Sequence, residues 1–254
     1  MKGKLVAVDL DGTALDQGKR IGNKTLDALL ECKRRGIVVA VATARSERNA
    51  KQYLEAICPD AAVSSGGALG KVEGREVYRK TIPSKTADDL CAHLAGRKDV
   101  RYVTLETDSG YYVNYPREDF PGWEGIDTDF STPRGEDALK VMADFRLGGN
   151  AAEVAKRFPG VMPTAYAGEG WVSFSHPEAE KGKALYAVLR EMGIDPMEAV
   201  CFGDDMNDMG MLDMCGVPVA MGNAIDAVKE KARYVCPGSD EDGVGIWLWE
   251  NLLA

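Results

Sequence analysis

The feature that most constrains the fold is Asp9-Leu10-Asp11-Gly12-Thr13, which follows directly after the apolar run Leu5-Val6-Ala7-Val8. Four consecutive apolar residues predict a strand buried on both faces, as in a parallel sheet. Open sheets of this kind bind ligands at the carboxyl ends of their strands. Side chains two positions apart on an extended strand point to the same side, so Asp9 and Asp11 can face one site. The alternative is an Asp-Gly turn that closes an ordinary strand.

Two neighbouring carboxylates repel each other, and a bound divalent cation is the usual remedy. A carboxylate beside such a cation can attack phosphorus and form an aspartyl-phosphate. The motif therefore favours phosphoryl chemistry as well as metal binding.

The composition excludes several other classes of protein. The 254 residues include 31 Lys and Arg against 40 Asp and Glu, which gives a net charge of −9. This charge disfavours nucleic acid and anionic membranes as partners, although a bound metal lets an acidic protein take an anionic small substrate. The 6 cysteines lack the spacing of a zinc site or a disulfide framework. The first residues are too short for a signal peptide and no apolar run could span a membrane, so we expect a soluble, cytoplasmic enzyme.

The chain alternates strands and helices at both ends. A helix capped by Asn23, a strand over 37–42, a helix over 46–57 and a strand over 61–63 are expected near the start. The same rhythm resumes after residue 178. The pattern predicts an α/β fold with a doubly wound parallel sheet, similar to a Rossmann core.

The middle of the chain differs in character, because hairpin signals replace the strand–helix rhythm. We therefore expect an inserted α+β domain at 83–178, with 1–82 and 179–254 forming the core.

A second acidic cluster, Gly203-Asp204-Asp205-Met206-Asn207-Asp208, follows a predicted strand over 199–202. In a parallel sheet it lies at the same edge as the first motif. If a helix begins here, Asp204 and Asp208 share one of its faces near the positive N-terminus. The alternative is a solvated acidic turn.

Oxygen ligands of this kind suit Mg²⁺ better than zinc. Calcium loops are excluded by counting positions. From Asp9, the sixth position is Ala14 instead of Gly and the twelfth is Arg20 instead of Glu. From Asp205, the fifth position is Met209 and the twelfth is Gly216.

Two further residues gain meaning from these clusters. Thr43 ends the second predicted strand, where its hydroxyl and the backbone N–H groups that follow can hold phosphoryl oxygens, although threonine often only caps a helix. Lys181 lies where the core resumes and can neutralise both the carboxylates and a phosphate. A merely solvated lysine is the alternative there, and Lys183 is the competitor for the role.

The order of these four motifs along the chain resembles the haloacid dehalogenase-like phosphatase superfamily over almost the whole sequence. The insertion, together with Gly-Val-Pro-Val-Ala-Met-Gly-Asn-Ala at 216–224, is similar to the Cof-type subfamily with a large α+β (C2-type) cap. Two positions depart from the family pattern and make inherited substrate contacts uncertain. Ala44 replaces a usual Gly, and Ser64-Ser65-Gly66-Gly67 replaces a common Asn-Gly.

The resemblance implies a role for each motif residue. Asp9 would be the nucleophile and Asp11 the general acid and base. A phosphoryl site would include Thr43, Ala44, Arg45, Lys181 and Asn207. The Mg²⁺ site would include Asp9, the Asp11 main-chain carbonyl and Asp204, with Asp208 either a ligand or a partner of the ligands.

The implied function is Mg²⁺-dependent hydrolysis of a small phosphomonoester, such as a sugar phosphate or a phosphoglycolate-like acid. A phosphomutase and a catalytically silent phospholigand-binding protein stay open as alternatives. A receiver-like signalling module is disfavoured, because about a hundred extra residues separate the motifs. The sequence does not indicate the oligomeric state.

Substrate specificity is expected in the cap. The long loop over 116–136 carries Arg117, Trp123 and Arg134, and a neighbouring hairpin turns near Gly168-Glu169-Gly170. Long loops of this kind are often functional, so one of these segments is expected to contact the non-phosphate part of the substrate. The alternative is a solvated loop on the far side of the cap.

Overall fold

The computed structural model describes residues 3–120, 125–146, 149–165 and 170–254. The chain forms two compact units, one built from Met1–Arg79 and Ala179–Ala254 and the other from Lys80–Glu178. The second unit is therefore an insertion in the sequence of the first. Within the described ranges, every helix is too short or too polar to cross a bilayer.

The described residues contain fourteen strands and eight α-helices. The strands are β1 (Leu5–Val8), β2 (Val38–Ala42), β3 (Ala61–Ser64), β4 (Leu69–Val72), β5 (Arg75–Arg79), β6 (Val100–Glu106), β7 (Tyr111–Val113), β8 (Ile126–Asp127), β9 (Lys140–Phe145), β10 (Met162–Ala165), β11 (Trp171–Ser175), β12 (Ala199–Gly203), β13 (Val217–Ala220) and β14 (Tyr234–Val235). The helices are α1 (Asn23–Arg34), α2 (Glu47–Ile57), α3 (Ser84–Ala95), α4 (Ala151–Arg157), α5 (Lys181–Glu191), α6 (Met209–Met214), α7 (Asp226–Lys231) and α8 (Gly243–Asn251).

The first unit contains an eight-stranded sheet in the order β14-β13-β12-β1-β2-β3-β4-β5. The six strands from β14 to β3 run parallel, and the hairpin of β4 and β5 extends the sheet antiparallel. The strand order reverses at β1, since β2 and β3 continue to one side and β12 to β14 to the other. Such a reversal creates a crevice at the carboxyl ends of the central strands. The predicted α/β fold is confirmed.

The core of this unit buries the central strand of the sheet on both faces. All four residues of β1 are fully buried, as expected for a central strand covered on both faces. The same hydrophobic cluster includes Leu29 of α1, Leu185 of α5 and Trp247 of α8. Burial of this apolar surface holds the strand ends in fixed positions.

One predicted helix cap is wrong. Asn23 is the first residue of α1, and Gly22 occupies the N-cap position without a side-chain cap. Asp242, more than 200 residues later, accepts a hydrogen bond from the Thr25 N–H at 3.1 Å instead. The carboxylate of Asp242 therefore accepts a hydrogen bond from a backbone N–H group at the start of the helix, as a local N-cap side chain would otherwise do.

The second unit contains a six-stranded sheet in the order β10-β11-β9-β6-β7-β8. Its strands pair antiparallel except for β7 and β8, which are parallel. One face packs against α3 and α4 through a cluster that includes Leu90, Phe174 and Val154. This is the α+β architecture that its hairpin-rich sequence predicts.

Where it is described, the long segment over 116–136 is not the plain loop that the sequence predicts. It includes a 3₁₀ turn at Arg117–Asp119 and the two-residue strand β8, which pairs with β7. The Arg134 guanidinium lies 5.1 Å from the centre of the Tyr112 ring and donates to the Thr128 hydroxyl at 3.1 Å. Trp123, Gly168 and Glu169 lie outside the described residues. The predicted substrate contact of these segments stays a prediction.

Candidate active site

The carboxyl ends of three neighbouring strands bring the sequence motifs together. In the register of the sheet, Val8 pairs with Val41 on one side and with Phe202 on the other. Asp9, Thr43 and Asp204 follow these strands, so they lie at one edge of the sheet, at the reversal of strand order.

Lys181 lies at the centre of the site. Its Nζ donates to Asp9 Oδ1 at 2.8 Å, to Asp208 Oδ1 at 2.7 Å and to Asn207 Oδ1 at 3.3 Å. The Lys181 side chain is only 1% exposed. Lys183, the competitor, is 43% exposed and pairs with Glu180 at 3.4 Å. The structure therefore brings Lys181, and not Lys183, to the carboxylates.

Two glycines allow the first turn of α5 to approach this position closely. A Cβ on Gly182 would lie 2.5 Å from the carbonyl oxygen of Gly210, and a Cβ on Gly67 would lie 2.5 Å from the carbonyl oxygen of Glu180. Both distances are far below van der Waals contact. Only glycine at these positions permits the backbone approach that places Lys181.

The pKa values of Asp9, Asp204 and Lys181 are all raised, but burial and neighbouring charges contribute differently to each. Burial raises the pKa of the Asp9 carboxyl well above its usual range; Lys181 opposes this shift, and Asp208 adds to it. Burial also raises the pKa of Asp204, to about 6. Burial disfavours the charged form of Lys181, but Asp208 and Asp9 outweigh it and raise the pKa of the ammonium group. The lysine therefore stays cationic between carboxylates that would otherwise be costly to ionise.

The second acidic cluster does not form the helix face that the sequence predicts. Asp204 precedes a 3₁₀ turn at Met206–Asp208, and α6 begins only at Met209. Asp208 Oδ2 instead folds back and accepts the backbone N–H groups of Asp204 at 3.0 Å and Asp205 at 3.2 Å. This capping interaction, and not an i, i+4 face, brings the two carboxylates together.

The donor set fits a hard divalent cation. Asp9, Asp204 and Asp208 each offer a carboxylate oxygen, and these oxygens lie within 4.8 Å of one another. All three ligands are carboxylate oxygens, the ligand type that Mg²⁺ prefers. Both Asp208 oxygens already accept hydrogen bonds, from Lys181 and from the loop backbone. Asp9 and Asp204 are therefore the freer ligands of the set.

Asp11 is held by two cations. Arg45 donates through Nε to Asp11 Oδ2 at 2.6 Å and through Nη2 to Oδ1 at 2.7 Å, and Lys19 Nζ lies 2.7 Å from Oδ1. Burial alone would raise the pKa of this carboxyl, but the hydrogen bonds from Arg45 and Lys19 outweigh it and lower the pKa to about 2. Asp11 is therefore a carboxylate in this arrangement.

The remaining predicted phosphoryl-binding residues form a tight turn after β2. Thr43 is buried, and its hydroxyl accepts the Arg45 N–H at 3.1 Å, while its carbonyl accepts the Gly66 N–H at 3.1 Å. Ala44 is half-buried between them. The Arg45 guanidinium points to Asp11. The phosphoryl role of these three residues stays a prediction.

Sequence reasoning missed several residues that organise the site. The Thr13 hydroxyl donates to Asp204 Oδ1 at 2.8 Å, and Asn223 Nδ2 donates to the Gly12 carbonyl at 2.8 Å. Thr13 is the last residue of the first motif, and Asn223 lies in the segment 216–224. Their positions in these motifs could therefore have identified both residues from the sequence. The Tyr53 hydroxyl donates to the Lys19 carbonyl at 2.9 Å. Lys19 and Tyr53 carried no such signal, since neither lies in a motif.

Comparisons with known proteins identify the family. The sequence profile of the family described as haloacid dehalogenase-like hydrolase matches residues 6–248. Phosphatase YwpJ of Bacillus subtilis is 28% identical, over 95% of this chain and 97% of that protein. The B. subtilis protein named 5-amino-6-(5-phospho-D-ribitylamino)uracil phosphatase YwtE is 25% identical, over 99% of this chain and 98% of its own.

Among solved structures, the subclass IIB sugar phosphatase BT4131 shares the fold with a TM-score of 0.85 at 22% identity, covering 97% of this chain and 98% of that one. The family profile spans nearly all of the chain, and the relatives align over nearly their whole length. The chain therefore belongs to the haloacid dehalogenase-like hydrolases and is an enzyme of the phosphatase class within that family.

Proposed function

We propose that this protein is a Mg²⁺-dependent phosphatase that hydrolyses a small phosphomonoester through an aspartyl-phosphate on Asp9. The observation that supports this most directly is the buried Lys181 ammonium, which lies 2.8 Å from Asp9 and 2.7 Å from Asp208. The unit of Met1–Arg79 and Ala179–Ala254 would be the catalytic core, and Lys80–Glu178 would be the cap.

In the first half-reaction, a carboxylate oxygen of Asp9 attacks phosphorus. The new bond joins this oxygen to phosphorus, and the bond from phosphorus to the alcohol oxygen of the substrate breaks. Lys181 fixes the orientation of Asp9 and offsets negative charge on the transferring group. Such charge stabilisation is the main contribution to catalysis of phosphoryl transfer.

Asp11 would handle the protons. It would donate a proton to the departing alcohol oxygen and then, as a carboxylate, take a proton from the water that hydrolyses the aspartyl-phosphate. The ionised form present in this structure suits the second role. For the first role, Asp11 would take up a proton from solvent and release its contacts with Arg45 and Lys19 before the alcohol oxygen departs.

Asp9, Asp204 and the Asp11 main-chain carbonyl would hold the Mg²⁺, with Asp208 supporting Asp204 through the loop backbone. The bound ion would supply positive charge that lowers the repulsion between Asp9 and the phosphoryl oxygens. Thr13 keeps Asp204 oriented for this purpose through its 2.8 Å hydrogen bond.

The substrate class is proposed from the same site and from the relatives. The turn of Thr43, Ala44 and Arg45 would bind the phosphoryl oxygens, with Asn207 supporting Lys181. YwtE is named for a ribityl phosphate ester and BT4131 is a sugar phosphatase. Sugar and polyol phosphates are therefore the first compounds to test, followed by phosphoglycolate-like acids.

The experiment is a screen of phosphomonoesters with Mg²⁺, scored by release of inorganic phosphate, on the wild type and on Asp9→Asn. We expect activity in the wild type and a loss of several orders of magnitude in the variant, because an amide is not a competent nucleophile here. The matched control is Asp27→Asn, since Asp27 is exposed on α1. More than about a tenth of wild-type activity in Asp9→Asn would contradict Asp9 as the nucleophile.

A second measurement tests the covalent intermediate. In Asp11→Asn, hydrolysis of the aspartyl-phosphate should be slow, so an acid quench followed by mass spectrometry should show one phosphoryl group on the peptide that contains Asp9. A phosphoryl group on another residue would refute the proposed mechanism.

A further inference from the structure

The contacts of Asp11 belong to a closed arrangement of four residues, which we call the Asp11 clamp: Asp11, Lys19, Arg45 and Tyr53. Arg45 makes a two-point contact with the Asp11 carboxylate through Nε and Nη2, at 2.6 and 2.7 Å. Its guanidinium also lies 5.2 Å from the centre of the Tyr53 ring, in a cation–π contact. A planar guanidinium held at both oxygens fixes the direction of a carboxylate as well as its charge.

Lys19 is held in the clamp by its backbone. Its φ of 58° lies in the left-handed region, which is uncommon for a residue other than glycine. The Lys19 N–H donates to the Asp16 carbonyl at 2.9 Å, and the Lys19 carbonyl accepts from the Tyr53 hydroxyl at 2.9 Å. These bonds place the Lys19 ammonium 2.7 Å from Asp11 Oδ1.

The clamp joins three segments that are distant in sequence. Asp11 follows β1, and Lys19 lies in the turn before α1. Arg45 lies just before α2, and Tyr53 lies in the second turn of that helix. The Arg45 side chain is 24% exposed and Asp11 is 37% exposed, so the pair is partly shielded from water. A partly buried two-point pair holds its geometry better than an exposed single contact.

We propose that Arg45, assisted by Lys19 and Tyr53, is the positioning residue that orients the Asp11 carboxylate for the step in which it takes a proton from the attacking water. This rests on the proposed function, because it assigns Asp11 the proton-transfer role. The same guanidinium cannot keep its two-point contact with Asp11 and also bind the phosphoryl group through those two nitrogens. The Arg45 side chain therefore acts mainly through Asp11, and the substrate phosphate would be bound by other groups of the site, including the Thr43 hydroxyl and the backbone of its turn.

The test is a double-mutant cycle on the full-length protein: wild type, Arg45→Ala, Asp11→Ala and the double variant. Initial rates with nitrophenyl phosphate give kcat and KM, and calorimetry with inorganic phosphate gives a Kd that does not depend on turnover. We expect Arg45→Ala to lower kcat by about 10- to 100-fold, the cost of a misplaced catalytic group, with KM and the phosphate Kd within about threefold of wild type.

In the Asp11→Ala background, the additional loss from Arg45→Ala should be less than about twofold, because the group that Arg45 positions is already absent. Arg45→Lys keeps the charge but loses the two-point contact, so its kcat should fall between those of the wild type and Arg45→Ala. Lys19→Ala should cause a smaller fall than Arg45→Ala. Its matched control is Lys4→Ala, which removes another exposed ion pair, to Glu198 at 2.9 Å.

NMR of the protein labelled with ¹⁵N-arginine tests the clamp without a measurement of enzymatic activity. The Arg45 Nε–H signal, assigned by its loss in Arg45→Lys, should exchange slowly with water in the wild type and rapidly in Asp11→Ala. Rapid exchange in the wild type would overturn the clamp itself, whether or not the protein is a phosphatase. A tenfold weaker phosphate Kd in Arg45→Ala, or full additivity in the double variant, would show that Arg45 binds substrate and does not position Asp11.

Discussion

Replacement of Lys181 by methionine tests whether the lysine offsets the charge of the buried carboxylates. Methionine has a similar length and packs well in apolar surroundings, so the substitution removes the charge with little change in volume. It leaves Asp9 and Asp208 without the ammonium group that lies 2.8 and 2.7 Å from them. Their side chains are 6% and 0% exposed, so water cannot replace the lost partner.

The expected loss follows from this burial. Removing one partner of a buried ion pair typically costs about 3–5 kcal/mol, and here one lysine serves two carboxylates. The loss is limited because burial already raises the pKa of Asp9, which lets it take up a proton when the lysine is absent. We therefore expect the free energy of unfolding of the first unit to fall by about 3–5 kcal/mol at pH 7 in the presence of a chelator.

Hydrogen exchange with mass spectrometry across a urea series measures this loss unit by unit. Peptides from β1 and β12 report on the first unit, and peptides from Lys80–Glu178 are an internal control. Lys183→Met is the matched variant, because it lies on the same helix, is 43% exposed and should cost less than about 1 kcal/mol. Excess Mg²⁺ should restore at least part of the stability of Lys181→Met, since a divalent cation also offsets the carboxylate charge.

A loss below about 1 kcal/mol in chelator would refute the electrostatic role of Lys181. A loss of the expected size that Mg²⁺ does not reduce would show that the lysine acts by packing, and that the carboxylates do not hold the metal.

Two further predictions concern the same cluster. Because the pKa of Asp204 is raised to about 6 in the metal-free protein, its ionisation disfavours folding as the pH rises through 6, while Mg²⁺ needs the ionised form. Thermal scans from pH 5 to 8 should therefore show stabilisation by Mg²⁺ that grows as the pH rises through 6 and then levels off; a stabilisation that is independent of pH would contradict this assignment. Gly182→Ala places a Cβ 2.5 Å from the Gly210 carbonyl oxygen, so it should displace Lys181 and lower kcat at least about tenfold, although alanine favours helices. Steady-state assays should show little change in Lys183→Ala, and wild-type kcat in folded Gly182→Ala would refute the close-approach explanation.

The meeting of Asp9, Lys181 and Asp204 could be predicted from the sequence because it depends on topology. Asp9 and Asp204 each follow a buried apolar strand, and parallel strands bring their carboxyl ends to one edge. Lys181 begins α5, where the core sequence resumes. The order of the motifs then restricts the family. None of these steps needs the rotamer of a side chain.

Details that depend on local geometry could not be predicted. Asp208 joins the site through a 3₁₀ turn and a capping interaction, and an acidic sequence does not distinguish that turn from the start of an α-helix. The contact between Arg45 and Asp11 depends on two side-chain conformations separated by 34 positions. Likewise, Gly22 occupies the N-cap of α1 because a distant Asp242 supplies the acceptor.

The close approach of Gly67 to Glu180 has a consequence for how such a chain can diversify. The inserted unit ends at Glu178, and the backbone is fixed against the first unit only two residues later, at Glu180. Lys181 follows immediately, so its position is set by the core and not by the segment that precedes Ala179. Insertions of different length or sequence can therefore be exchanged between these two junctions while the chemistry stays in place. Chimaeras joined at Arg79 and Ala179 should keep the lysine between its carboxylates, which makes this pair of junctions a natural site for recombination.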